Sequence, residues 1–134
     1  MEKQIKNALK SAKADYVEIR IQEGVSTGIT YVGKELENIG ENTAFGGCVR
    51  ALVKGGWGFV AFNDIENLPR YVDMACEQAR FVGTKESQLA PVPAINDHVK
   101  TKVDIDPADI SLTDKQAICN KYNNMILSSK QIQT

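Results

Sequence analysis

Three side chains in one glycine-rich stretch, Arg50, Trp57 and Phe59, have types and spacing suited to binding chemistry. Arginine carries a rigid fork of donors that matches a carboxylate. Trp57 and Phe59 lie two residues apart, so a strand would place both rings on one face. Each feature admits two readings. The aromatic pair either packs into the core, which is the default expectation, or forms a binding or dimer surface. Arg50 is either a solvated or salt-bridged strand residue, or a clamp for a peptide carboxylate.

Other chemistry is poorly supported. A glycine-rich stretch invites comparison with a phosphate-binding loop, but a P-loop ends in Gly-Lys-Ser/Thr. Here Lys54 is followed by Gly55, and Lys34 by Glu35. Glu35, Glu37 and Glu41 fit the wet face of a strand more simply than an acid/base cluster. Asp104, Asp106 and Asp109 resemble a cation loop, but Pro107 and Ser111 stand where an EF-hand has other residues. His98 is the sole histidine, and a zinc site draws several ligands together. No metal ligand and no catalytic residue is therefore assigned. Cys48, Cys76 and Cys119 are an odd, scattered set without a Cys-x-x-Cys pair. They are expected to be buried small hydrophobes in a reducing cytoplasm.

Bulk composition narrows the class. The chain has 134 residues, 43% of them hydrophobic and 25% charged, with a net charge of −1. One domain with a real core is expected, with room for a second partial one. No concentrated basic face points to direct nucleic-acid binding. No apolar run is long enough for a membrane span, and the N-terminus lacks the apolar segment of a secretory signal.

The elements that would position these residues follow from periodicity. Ile5, Ala8, Leu9 and Ala12 recur at helical spacing. Val17, Ile19 and Ile21 then alternate with Glu18, Arg20 and Gln22, as in a strand with one dry face. Gly24 is expected to break or bulge this strand. Residues 25–32 resume β character, Gly33-Lys34 fits a two-residue turn, and residues 35–39 return. Gly40–Thr43 reads as a connecting loop. Residues 44–53 and 57–62 flank Lys54-Gly55-Gly56 as a second hairpin. A helix follows, capped by Asn63 with Glu66 or by Asn67 with Pro69 in the first turn. Leu68, Tyr71, Val72, Ala75, Ala79 and Val82 form its apolar stripe, and Gly83 ends it. Residues 84–110 hold three of the four prolines and read as a linker or arm. Ser111 and Asp114 cap a last helix with a stripe of Ala117, Ile118, Tyr122, Met125 and Ile126. Gln131–Thr134 reads as the start of a further strand. The expected class is α+β: a curved antiparallel sheet of two hairpins, an N-terminal and a following amphipathic helix, an extended arm and a further helix. Residues 1–83 should fold as one unit, with 84–110 the arm and 111–134 the start of a following region.

The wording within these elements resembles the TldD/PmbA family. Ala14-Asp15-Tyr16-Val17-Glu18-Ile19-Arg20 is similar to the family's opening strand. Gly46-Gly47-Cys48-Val49-Arg50 and Gly56-Trp57-Gly58-Phe59-Val60-Ala61 follow in the family's order, with an Asn-Asp helix start after them. Asp106-Pro107 and Ile110-Ser111-Leu112-Thr113-Asp114-Lys115 resemble the segment after its proline-rich arm. The likeness spans residues 14–127, and the Gly-Trp-Gly-Phe wording leans toward the TldD branch.

The resemblance implies a much longer bacterial or archaeal zinc metallopeptidase, also called a modulator of DNA gyrase. Such a protein cuts unfolded or small peptides as a homodimer or with a related subunit. The family's His-Glu-x-x-x-His motif is absent here, since Val99 follows His98. The implied role is then that of an N-terminal fragment, a scaffold that handles substrate while the zinc belongs to the full-length parent. An open sheet edge at residues 16–22 and 25–32 would suit backbone capture of extended peptides. The alternatives are a non-enzymatic α+β interaction module and the N-terminal part of a PmbA-like, metal-free partner subunit.

Overall fold

The computed structural model describes residues 1–132. The elements are α1 (Glu2–Lys10), β1 (Tyr16–Val32), β2 (Glu35–Val53), β3 (Gly56–Phe62), α2 (Leu68–Val82), a 3-10 turn (Pro107–Asp109) and α3 (Leu112–Leu127). The strands form one sheet in the order β1-β2-β3. Two-residue turns join consecutive strands, so the pairing is antiparallel. The α+β class is as expected, but the strands are longer. Gly24 does not interrupt β1, and Gly40–Thr43 belongs to β2 rather than to a loop. Glycine has a weak strand preference, and ladder pairing with a neighbour overrides it.

The turns explain two glycines. Gly33 has φ 58°, and the second turn pairs Lys54 at φ 47° with Gly55 at φ 79°. Two successive positive φ values match the twist that a tight hairpin needs. Lys54 adopts this region at a cost of about 1 kcal/mol. Its backbone N–H donates to Asp15 Oδ2 at 2.7 Å, and its carbonyl accepts from Lys85 N at 2.9 Å.

Close contacts group the chain into two compact units. The first joins Met1–Glu23 to Ala44–Ile95. Its core brings Val49, Ala51 and Val53 of β2 together with Val60 and Phe62 of β3, Leu68, Val72, Ala75, Cys76 and Ala79 of α2, and Ala8 of α1. Val17, Ile19 and Ile21 lie half-buried against it, as their alternation predicts. Asn67 is the N-cap residue of α2, with Pro69 in the first turn, but its side chain makes no capping bond. Asp64 is the local acceptor instead, taking Glu66 N at 3.1 Å and Tyr71 Oη at 2.8 Å. The Tyr71 ring stacks on Phe62 with centroids 5.3 Å apart. Val82, expected in the dry stripe, is exposed. The backbone of Gly83 makes the closing contact, because a Cβ there would collide with the Val53 carbonyl.

The second unit joins Gly24–Thr43 to the described residues 96–132. The Ser111 hydroxyl caps α3 by accepting from Asp114 N at 3.1 Å and donating to Asp114 Oδ2 at 2.6 Å. Lys115 Nζ donates to Thr27 Oγ1 at 3.0 Å and lies 3.8 Å from Glu41 Oε1. Asn123 Nδ2 donates to the Gly33 carbonyl at 2.8 Å. Ile118, Tyr122, Met125 and Ile126 are exposed. The strand expected from Gln131 lies partly outside the described residues.

Candidate functional site

Alternation along β3 determines where the candidate residues point. Gly56, Gly58, Val60 and Phe62 face the core, while Trp57, Phe59 and Ala61 face away. The β2–β3 register sets Arg50 opposite Phe59 and Leu52 opposite Trp57. These residues therefore share the sheet face that α2 does not cover. Trp57 is 44% exposed and Phe59 56%, so the expected core packing of the pair is corrected. The cause lies on the opposite face. A Cβ on Gly58 would collide with the Ala75 carbonyl, and one on Gly56 with the Ala79 carbonyl. Helix α2 thus rests on bare β3 backbone where no side chain fits. The two-residue period then sends Trp57 and Phe59 outward.

Strand β1 completes the outward face. The Tyr16 ring meets Trp57 edge-on, with centroids 6.2 Å apart. Arg50 Nε lies 3.1 Å from Glu18 Oε1, and its guanidinium carbon sits 4.7 Å from the Trp57 ring centre. The expectation of a salt-bridged Arg50 holds, and a cation–π contact adds to it. Arg20 Nε stands 3.8 Å from the same Glu18 oxygen. That oxygen is sealed from water and has no aligned hydrogen-bond donor, so it is held by charge alone. The other oxygen, Oε2, accepts from Tyr16 Oη at 2.9 Å. This bond, with some desolvation, pushes the Tyr16 phenol above its ordinary pKa.

Trp57, Phe59, Arg50 and the bare Gly58 backbone line a shallow open groove of about 430 Å³. Its size suits one or two side chains of a ligand. A flat aromatic surface beside a charge-paired guanidinium offers apolar and cationic contacts to a ligand.

The remaining candidates lie elsewhere. Glu35 and Glu37 are exposed on β2, and Glu41 faces Lys115. Asp106 accepts from Ala108 N at 2.9 Å as a local turn cap. His98 is exposed. Cys76 is buried, as expected, whereas Cys48 and Cys119 are only half-buried. Burial pushes the Cys76 thiol up from its ordinary pKa. Among the described residues, no three His, Cys, Asp or Glu side chains gather closely enough to hold a metal ion. No described helix is long and apolar enough to cross a membrane.

Sequence reasoning missed Glu18 and Tyr16 as members of the face. Alternation placed Glu18 on the wet side of its strand, but only strand pairing brings it to Arg50. Gln78 was missed as well. It accepts from Phe59 N at 3.1 Å and so covers part of the outer edge of β3. Outer edges left bare invite pairing with other chains.

Comparison with known proteins places this geometry in context. A family model described as PmbA/TldA metallopeptidase domain 1 matches residues 17–79. A metalloprotease of Synechocystis sp. is 36% identical over 116 residues, covering 86% of this chain and 25% of that protein. A metalloprotease of Methanocaldococcus jannaschii is 34% identical over 117 residues, covering 83% and 26% respectively. The chain thus spans about a quarter of the length of these relatives. The crystal structure of TldE from Thermococcus kodakarensis shares the fold, with a TM-score of 0.53 at 16% identity, over 84% of this chain and 26% of that one.

Proposed function

Because the chain belongs to the TldD/PmbA family through this first domain, we propose that it is the N-terminal scaffold and substrate-handling region of a TldD-like zinc metallopeptidase acting on unfolded or small peptides. The observation that carries the reading is the outward face of Tyr16, Arg50, Trp57 and Phe59. Two large rings are left in solvent on a sheet whose other face is tightly closed. Exposed aromatics beside an arginine are enriched where proteins bind other chains. Strand β1 is an outer strand of the sheet and offers main-chain groups for extended peptides. Backbone capture tolerates varied sequence, which suits a peptidase for unfolded chains.

The metal implied by the relatives' names does not fit the residues described here. His98 is isolated and exposed, and the acidic side chains are dispersed or engaged in local bonds. No step of peptide cleavage is assigned to this chain. Zinc chemistry and proton transfer belong, on this reading, to polypeptide found in the longer relatives. Association with a second copy or a related subunit, and residence in a reducing cytoplasm, are part of the same proposal. The free thiols Cys48, Cys76 and Cys119 support the latter.

The test is steady-state peptidase kinetics on a polypeptide that joins this chain to the family's metal-bearing region. Replacing Trp57 and Phe59 by alanine is expected to raise KM about tenfold, the scale of aromatic anchors in interfaces, with kcat little changed. An unchanged KM would refute a substrate-handling face.

A further inference from the structure

We propose that the groove over Gly58 selects an acidic side chain that stands two residues from an apolar one on an extended peptide. The inference rests on the peptide-handling reading above and adds a substrate class to it. Charge comes first. Glu18 supplies one carboxylate to two guanidinium groups, Arg50 at 3.1 Å and Arg20 at 3.8 Å. The cluster keeps one positive charge in excess, and the complementary ligand group is an anion.

Preorganisation comes second. Glu18 and the Trp57 ring brace Arg50 from two directions. Little side-chain freedom remains for a ligand to remove, which favours binding at this position. Arginine braced in this way presents its remaining donors as a fixed fork for a carboxylate.

Shape comes third. Trp57 and Phe59 stand two residues apart on one strand, about 6.6 Å along it. An extended peptide repeats its side chains with the same period. An acidic residue that faces the Arg50 guanidinium, which sits over Trp57, can therefore carry an apolar residue two positions away onto the Phe59 ring. Both rings remain exposed and the groove is shallow and open, so a side chain within a peptide can reach it. An internal acidic side chain is the fitting occupant.

Trp57 is the only tryptophan, so its fluorescence reports on this groove alone. The 134-residue chain is titrated with the capped peptide acetyl-Phe-Ser-Glu-Ser-Phe-amide and with its twin carrying Gln for Glu. The Glu peptide is expected to shift Trp57 emission saturably. The Gln peptide should bind about fivefold more weakly, the scale of a partly exposed charge pair. Arg20→Gln, at a side chain that is 75% exposed, should narrow the gap between the peptides without disturbing the fold. Equal affinity for the two peptides would overturn the acidic preference and leave peptide handling intact. No emission change with either peptide would overturn both.

Discussion

The two compact units use glycine and apolar residues in opposite ways. In the first, Gly56, Gly58 and Gly83 stand where a Cβ would strike the backbone of a neighbouring element. In the second, Gly28 has nothing within 4 Å of where a Cβ would be. The first unit buries Val49, Val60, Leu68 and Val72 in one continuous core. The described part of the second unit has no fully buried residue, and Val25, Ile118, Tyr122 and Met125 stay exposed. Buried apolar area supplies most of the free energy of folding. The first unit therefore carries the stability of this chain. The second holds together through caps and polar contacts such as Lys115 to Thr27 and Asn123 to Gly33.

That contrast bears on the site. The close seat of α2 on β3 fixes the strand, and the strand's alternation then exposes Trp57 and Phe59. A recognition face is most accurate when it stands on a rigid element. Loosening the seat should disorder the face even though no face residue has changed.

The largest expected effect comes from the glycines. Gly58→Val forces α2 away from β3 and should cost about 3 kcal/mol, at the upper end of overpacking. Gly28→Ala, which meets only open space, should stay within about 0.5 kcal/mol of the parent. Urea unfolding of both variants checks the pair. Similar losses in the two would erase the distinction between the units.

A smaller effect is expected from pH. Burial raises the Cys76 thiol from its ordinary 9.0, and the hydrogen bond to Asp64 raises the Tyr71 phenol from its ordinary 10.0. Each group holds its proton more tightly in the folded state than in the unfolded one. Their contribution is complete below pH 9 and falls as pH rises through the raised values. Stability of the parent should therefore decline in mildly alkaline solution, and Tyr71→Phe should reduce the decline above pH 10. A denaturation series from pH 7 to 11 measures it, and identical slopes for parent and variant would contradict the assignment.

Much of this was legible in the sequence, and the gaps have physical causes. The alternation of Val17, Ile19 and Ile21 revealed the dry face of β1, and Leu68, Val72, Ala75 and Ala79 revealed the packed face of α2. Local period suffices for such features. Trp57 and Phe59 were misplaced because their hydrophobicity suggested burial. The deciding residues were Gly56 and Gly58, whose lack of side chains admits a helix to the other face. Glu18 was invisible as a partner of Arg50 because strand pairing is a long-range property. The run through Gly24 and Gly40 was read as broken because local glycine preference yields to a neighbouring ladder. Helix α3 showed its cap in Ser111 and Asp114, but a stripe such as Ile118, Tyr122 and Met125 does not reveal whether anything covers it.

The central claim is that a rigid, glycine-seated unit presents the Arg50–Trp57–Phe59 face, while the described part of the second unit has no comparable buried core. Native-state hydrogen exchange on the 134-residue chain, resolved by segment, addresses this most directly. The account predicts that amides of residues 49–62 and 72–79 exchange only through global unfolding, and that those of residues 24–43 and 112–127 exchange much sooner. Equal protection in both sets, or faster exchange at residues 56–62, would contradict it.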